Sequence, residues 1–216
     1  AAEFVSYEEV EAAYYKQLAN LVKHSVIGSI IAQQIHSEIV PRPYLSMLVD
    51  GCMEQGKDLS RGGAKYNIGP VLTGIGVADS ANSLAAIKKL VFEEKKYTLA
   101  DFTKALASNW SGYENLRKAA MACPKYGNDD DYVDAIAVQI SEFYHQEIKK
   151  YKDFFGSPFN SAFMGISNYI PAGSVIGATP DGRLAKTPLT EGVSPHAGTD
   201  LTSPTAAMRS VAKSNH

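Results

Sequence analysis

Apolar residues return every third or fourth position from the start of the chain. Val10, Tyr14, Leu18, Leu21, Val22 and Ile31 share this helical period, which predicts a long helix out to about Ser37. Ser6, three residues before Glu9, supplies a capping box at its start. Pro41 and Pro43 end the run, because proline breaks the helical ladder. A second helix is predicted from about Tyr44 to Gln55, closed by Gly56. After an irregular stretch, Asp79 or Ser80 caps a helix with Leu84, Ile87, Leu90 and Val91 on one face. Thr98 and Asp101 form a second capping box, opening a helix through Phe102 and Leu106 to Trp110. "GNDDDYVD" places a cap and acids where a helix N-terminus favours them. The stripe Val133, Ile136, Ile140, Tyr144, Ile148 and Tyr151 follows.

Beyond Gly156 the period changes. "SAFMGISNYI" alternates as a strand, with Phe163, Gly165, Ser167 and Tyr169 on one face and Met164, Ile166, Asn168 and Ile170 on the other. "GSVIGA" reads as a second short extended run, and a turn-rich stretch leads to Ser203 and Pro204, which start a last helix. Long loops of this kind are usually functional or packed against something larger. So few strands cannot cover the apolar faces of so many helices, which points to part of a larger α/β protein.

Composition narrows the function classes. The 216 residues are 45% hydrophobic, enough for a real core, and the formal charge of -2 comes from interspersed acids and bases. That balance gives no electrostatic footprint for nucleic acid or an anionic membrane. No apolar run reaches the roughly 18 residues of a spanning helix, and "AAEFVSYEEV" lacks the pattern of a secretory leader. Cys52 and Cys123 make no disulfide framework and no metal-ligand spacing, as expected of a reducing, cytoplasmic protein.

Each candidate for chemistry has a plainer reading beside it. Cys52 and Glu54 could be a thiol and its acid/base partner, yet residues two apart on a helix point away from each other. The glycines of "GGAKYNIGPVLTGIG" lack the lysine and serine/threonine of a phosphate loop, and Asp79 would repel a phosphate at the next helix. Asp129, Asp130 and Asp131 lack the alternation of a calcium loop. His24, His36, His145, His196 and His216 have no zinc-site spacing, so no metal is expected. Asp181 and Arg183 read as a structural turn whose arginine ties down the following loop.

Several blocks, in order, go further. "PRPYLSMLVDGCMEQGKDLSRGGAKYN", "ADSANSLAAIKKLVFEEKKYT", "PKYGNDDDYVD" and "SNYIPAGSVIGATPDGRLAKTPLTEGVSPHAGTD" through "SPTAAMRSVAKSNH" resemble the pyruvate formate-lyase domain of the glycyl radical enzymes. The resemblance implies an α/β fold, a helix-rich part of a ten-stranded α/β barrel, with residues 1–216 a partial barrel domain. It implies that the family's thiyl-cysteine loop lies upstream and the glycyl-radical segment downstream, so that "GCME" imitates the thiyl motif and Cys52 is structural.

The chain alone is then expected to be inactive and to carry no cofactor, contributing to a lyase that uses a thiyl radical for C–C cleavage or decarboxylation, arylacetate decarboxylase-like or formate acetyltransferase-like. A dehydratase of a diol or hydroxyproline is the alternative within the family. A stand-alone binding or assembly module is the alternative outside it. Tyr66, Asn67, Ser167, Asn168 and Tyr169 are the candidates for lining the substrate pocket. The resemblance further implies a small-molecule substrate, a radical-SAM activating enzyme that installs the glycyl radical in the complete enzyme, and a homodimer.

Overall fold

The computed structural model describes residues 3–165 and 167–214. Ile166 of the predicted strand and His216 lie outside them. The chain divides into two compact units, one comprising Ala1–Lys16, Thr73–Phe143 and Ala162–His216, the other Gln17–Leu72 and Tyr144–Ser161.

Helix α1 runs over Tyr7–Ile39, as the period predicts, and Ser6 Oγ accepts from the Glu9 N–H at 3.3 Å. The predicted helix from Tyr44 to Gln55 is instead two short ones, α2 (Pro43–Ser46) and α3 (Cys52–Gln55). Gly51 breaks it, with a φ of 97° that a side chain would strain. A Cβ there would meet Lys65 N at 2.5 Å, so the chain reverses against the 63–65 segment. Gly56 closes α3 in the left-handed conformation. The core of this unit is Val22, Val26, Ile148 and Phe159.

In the other unit, α4 (Val77–Ile87) starts earlier than Asp79, because Gly76 takes the left-handed cap conformation. It continues as a π-helical stretch, Lys88–Glu93. Helix α5 (Leu99–Ala107) has the predicted capping box complete: Thr98 Oγ1 accepts from Asp101 N and Asp101 Oδ2 accepts from Thr98 N. Helix α6 (Glu114–Met121) has no counterpart in the sequence reading. Ala86, Leu90, Phe102, Trp110, Leu116 and Cys123 form the core here, and Trp110 Nε1 donates to Arg183 O at 3.2 Å.

Helix α7 spans Asp131–Ile148. Of the acids before it, Asp130 caps the Tyr132 N–H at 3.0 Å, whereas Asp129 pairs with Lys213 and Arg209. Helix α9 (Pro204–Ala212) is capped by Ser203 at 3.1 Å.

Two short strands, β1 (Val71–Thr73) and β2 (Asn160–Ala162), pair with each other. Asn160 N donates to Pro70 O and Gly74 N to Ala162 O, so both chains advance together and the pair is parallel. The predicted strand through residues 161–170 therefore ends at Ala162, and helix α8 occupies Tyr169–Val175. Pro171 fits its first turn, where a missing N–H costs nothing. The predicted extended run at residues 173–178 likewise begins inside α8. Short apolar runs match both periods, and packing chose the helix.

Candidate functional site

In the first neighbourhood, the 51–68 turn, the Glu54 and Asp58 carboxylates are committed to nearby backbone and hydroxyl donors. Cys52 is the first residue of α3, 2% exposed and free of any disulfide. Glu54 Oε2 turns back to accept from the Gly51 N–H at 2.9 Å, so this carboxylate caps the helix that carries the thiol. Asp58 accepts from the Ser60 hydroxyl at 2.6 Å, the Ser60 N–H, the Ser46 hydroxyl and the Arg42 N–H. Those donors, the Ser60 hydroxyl foremost, hold its carboxyl down at about 2.

Tyr66 and Asn67 follow the glycine pair. Both are exposed and border an open cleft of about 410 Å³ with His36, Arg42, Asp153 and Phe155. The Asn67 carbonyl accepts from Ser157 Oγ at 2.8 Å, anchoring the backbone and leaving the Tyr66 ring 77% exposed.

The second neighbourhood lies in the other unit, around the loop of residues 179–203. Ser167 and Asn168 are exposed and Tyr169 is half-buried. Their carbonyls accept from Ile170, Ala172 and Leu189 respectively, so α8 and the loop are held together by Tyr169 O at 3.2 Å from Leu189 N. Gly173 makes that approach possible, since a Cβ would lie 2.3 Å from Thr187 O.

Asp181 and Arg183 are both buried. The guanidinium donates to Thr187 O at 2.7 Å, to Gly177 O and to Thr179 Oγ1 at 3.2 Å, closing the turn around itself. Burial pushes the Asp181 carboxyl up, opposed by the Thr179 hydroxyl. Burial also pulls the Lys125 ammonium down, with Asp181 opposing.

Asp79 and His196 were not among the sequence candidates. Asp79 is 3% exposed; its Oδ2 accepts from Thr190 N at 2.6 Å and its Oδ1 lies 2.7 Å from His196 Nδ1. That hydrogen bond raises the imidazole above its ordinary value, with burial opposing it. The pair is separated by more than a hundred positions and belongs to no local motif, so spacing offered no signal. Among the described residues, no three His, Cys, Asp or Glu side chains are grouped to hold a metal ion.

Among the described residues, neither cysteine thiol is hydrogen-bonded to an acid. The profile of the pyruvate formate lyase-like proteins matches residues 1–173. The chain belongs to the pyruvate formate lyase-like family.

Trans-4-hydroxy-L-proline dehydratase of Clostridioides difficile is 39% identical over 99% of the chain and 27% of its own length. Among solved structures, the B12-independent glycerol dehydratase of Clostridium butyricum aligns over 100% of the chain and 27% of its own, with a TM-score of 0.95 and 39% identity. A glycyl radical enzyme from Archaeoglobus fulgidus aligns over 97% of the chain and 27% of its own, with a TM-score of 0.92 and 34% identity. Indoleacetate decarboxylase of Tractidigestivibacter scatoligenes is 34% identical over 82% of the chain and 23% of its own. The chain thus spans about a quarter of the length of these relatives. The helix-rich segment keeps the fold of the glycyl radical enzymes throughout.

Proposed function

We propose that this pyruvate formate lyase-like chain is the wall-forming segment of a glycyl radical dehydratase acting on a small hydroxylated substrate, a vicinal diol or a hydroxylated amino acid. The supporting observation is the upper end of the gradient of likeness: dehydratases of hydroxyproline and glycerol stand at 39% identity, whereas an indoleacetate decarboxylase stands at 34%, level with a sulfopropanediol dehydratase. Decarboxylation or C–C cleavage, the first expectation from the sequence, gives way to the dehydratase alternative on that gradient.

In the complete enzyme, a glycyl radical installed by a radical-SAM activase would supply the hydrogen-atom abstraction that opens the substrate to loss of water. In this segment, Cys52 is buried and Glu54 is spent on a helix cap, so neither is assigned a part in that step. Tyr66 and Asn67, and in the other unit Ser167, Asn168 and Tyr169, are assigned to pocket lining. Asp181 and Arg183 are assigned to holding the loop that follows α8.

The test is anaerobic incubation of the activated complete enzyme with propane-1,2-diol, glycerol, trans-4-hydroxy-L-proline and indole-3-acetate, with products read by NMR. A dehydration product from a hydroxylated substrate supports the reading. Carbon dioxide from indole-3-acetate, with the hydroxylated substrates untouched, refutes it.

A further inference from the structure

Helix α1 presents two apolar faces between Gln17 and Ile39. Val22, Val26 and Ile30 pack on Ile148 and Phe159. A different sector of the helix carries Leu21, Ile27, Ile31, Ile35 and Ile39, which are 64, 44, 51, 45 and 71% exposed. Ile27, Ile31, Ile35 and Ile39 recur every fourth residue, the spacing of the ridges by which helices interlock. Gly28 and Ala32 belong to the same sector, and a Cβ added at Gly28 meets nothing within 4 Å, which leaves a notch beside the isoleucine row. Glu38, to which Gln34 donates at 3.3 Å, carries the carboxylate at its C-terminal end. A helix face in contact with water is normally charged, and a helix apolar all round is normally covered on every side.

We infer that this isoleucine face seats a helix of the same polypeptide, from the part that the relatives carry beyond the matched quarter. This rests on the reading of the chain as a segment of a longer enzyme. Two observations choose that occupant. The segment aligns over its whole length with a chain of which it makes up 27%, at a TM-score of 0.95, so surfaces that a longer chain covers with its remainder are laid bare here. From Ile27 to Ile39 the row is aliphatic, with His24 one turn before it, and it lacks the large aromatic and arginine anchors that mark exchangeable protein interfaces, whereas aliphatic packing is typical of a core.

The experiment uses the complete polypeptide with Ile31→Cys and, separately, Ile35→Cys. Maleimide labelling is read by peptide mass at two protein concentrations, alongside the solution mass. Hydrogen exchange over α1 in the unsubstituted protein gives a readout independent of either variant. The expected result is labelling roughly a hundredfold slower than in urea, unchanged by dilution, with α1 amides protected. Labelling within about threefold of the unfolded rate would show the face open to water and overturn the inference. Protection lost on dilution, as the mass halves, would overturn it by making a second copy the occupant. A gene product of only these 216 residues would instead refute the longer-enzyme reading, and the inference with it.

Discussion

His196 Nδ1 lies 2.7 Å from Asp79 Oδ1, joining the end of the long loop to the first turn of α4. Asp79 also accepts from Thr190 N, so one buried carboxylate fixes the loop at two points. Because the hydrogen bond to Asp79 raises the imidazole, the folded state binds the His196 proton more tightly than the unfolded chain does. The contribution is full below about 6.5 and is lost as pH rises through the raised folded value. Melting temperature should therefore fall as pH rises from 6.5, and Asp79→Asn should flatten that slope. The C2–H resonance of His196 should titrate above the ordinary histidine value; titration at or below it would show that Asp79 does not hold the charge.

Arg183 fastens the turn through three acceptors in fixed directions, a task for a planar guanidinium. Arg183→Lys should cost about 2–4 kcal/mol, since an ammonium cannot satisfy all three and hydrogen bonds to charged groups contribute about 1.5–3 kcal/mol. Urea unfolding measures it. An unchanged midpoint would mean that the turn holds without the arginine.

Gly173 and Gly177 separate packing from backbone freedom. A Cβ on Gly173 would press on the Thr187 and Pro188 backbone, at 2.3 and 2.7 Å, whereas one on Gly177 meets nothing within 4 Å. Gly173→Ala should destabilise by about 2 kcal/mol or more, and Gly177→Ala should stay within about 1 kcal/mol of the parent. Equal effects on the thermal midpoint would contradict the close approach of α8 to residues 187–189.

Lys213 bridges Asp129, Asp131 and Asp134 at 2.9, 2.7 and 2.8 Å, and Asp134 is fully buried. Lys213→Met leaves Asp134 with the Ser210 hydroxyl and no counter-charge. The expected cost is about 3 kcal/mol, because stranding a buried charge is the expensive half of breaking a pair. Hydrogen exchange should show α9 opening first, and unchanged protection there would argue against the bridge.

The parts of this fold legible in the sequence are those that neighbours in sequence decide. Ser6 with Glu9 and Thr98 with Asp101 announced helix starts, and the stripes of α1 and α7 follow their periods. Gly51 was hidden because a glycine inside an apolar run looks like a tolerated helix residue until the 63–65 segment is seen against it. Alternation alone predicts strand over residues 163–165, where the backbone is irregular, because so short a run says nothing about partners. A Cβ on Gly192 would lie 3.0 Å from the Phe163 and Met164 backbone, and no strand pairs there among the described residues. The family could be read from blocks in order, whereas Asp79 with His196 needed the fold to bring them together.

The proposed function requires Cys52 to be a packed side chain of the wall and not the radical carrier. The direct measurement is turnover of a hydroxylated substrate by the activated complete enzyme carrying Cys52→Ala, with the glycyl radical quantified by EPR in the same sample. Retained turnover at a normal radical content, with at most a few kcal/mol of stability lost to the small cavity, is the result predicted here. A folded, radical-bearing enzyme whose turnover is abolished would make Cys52 the reacting thiol and contradict the account.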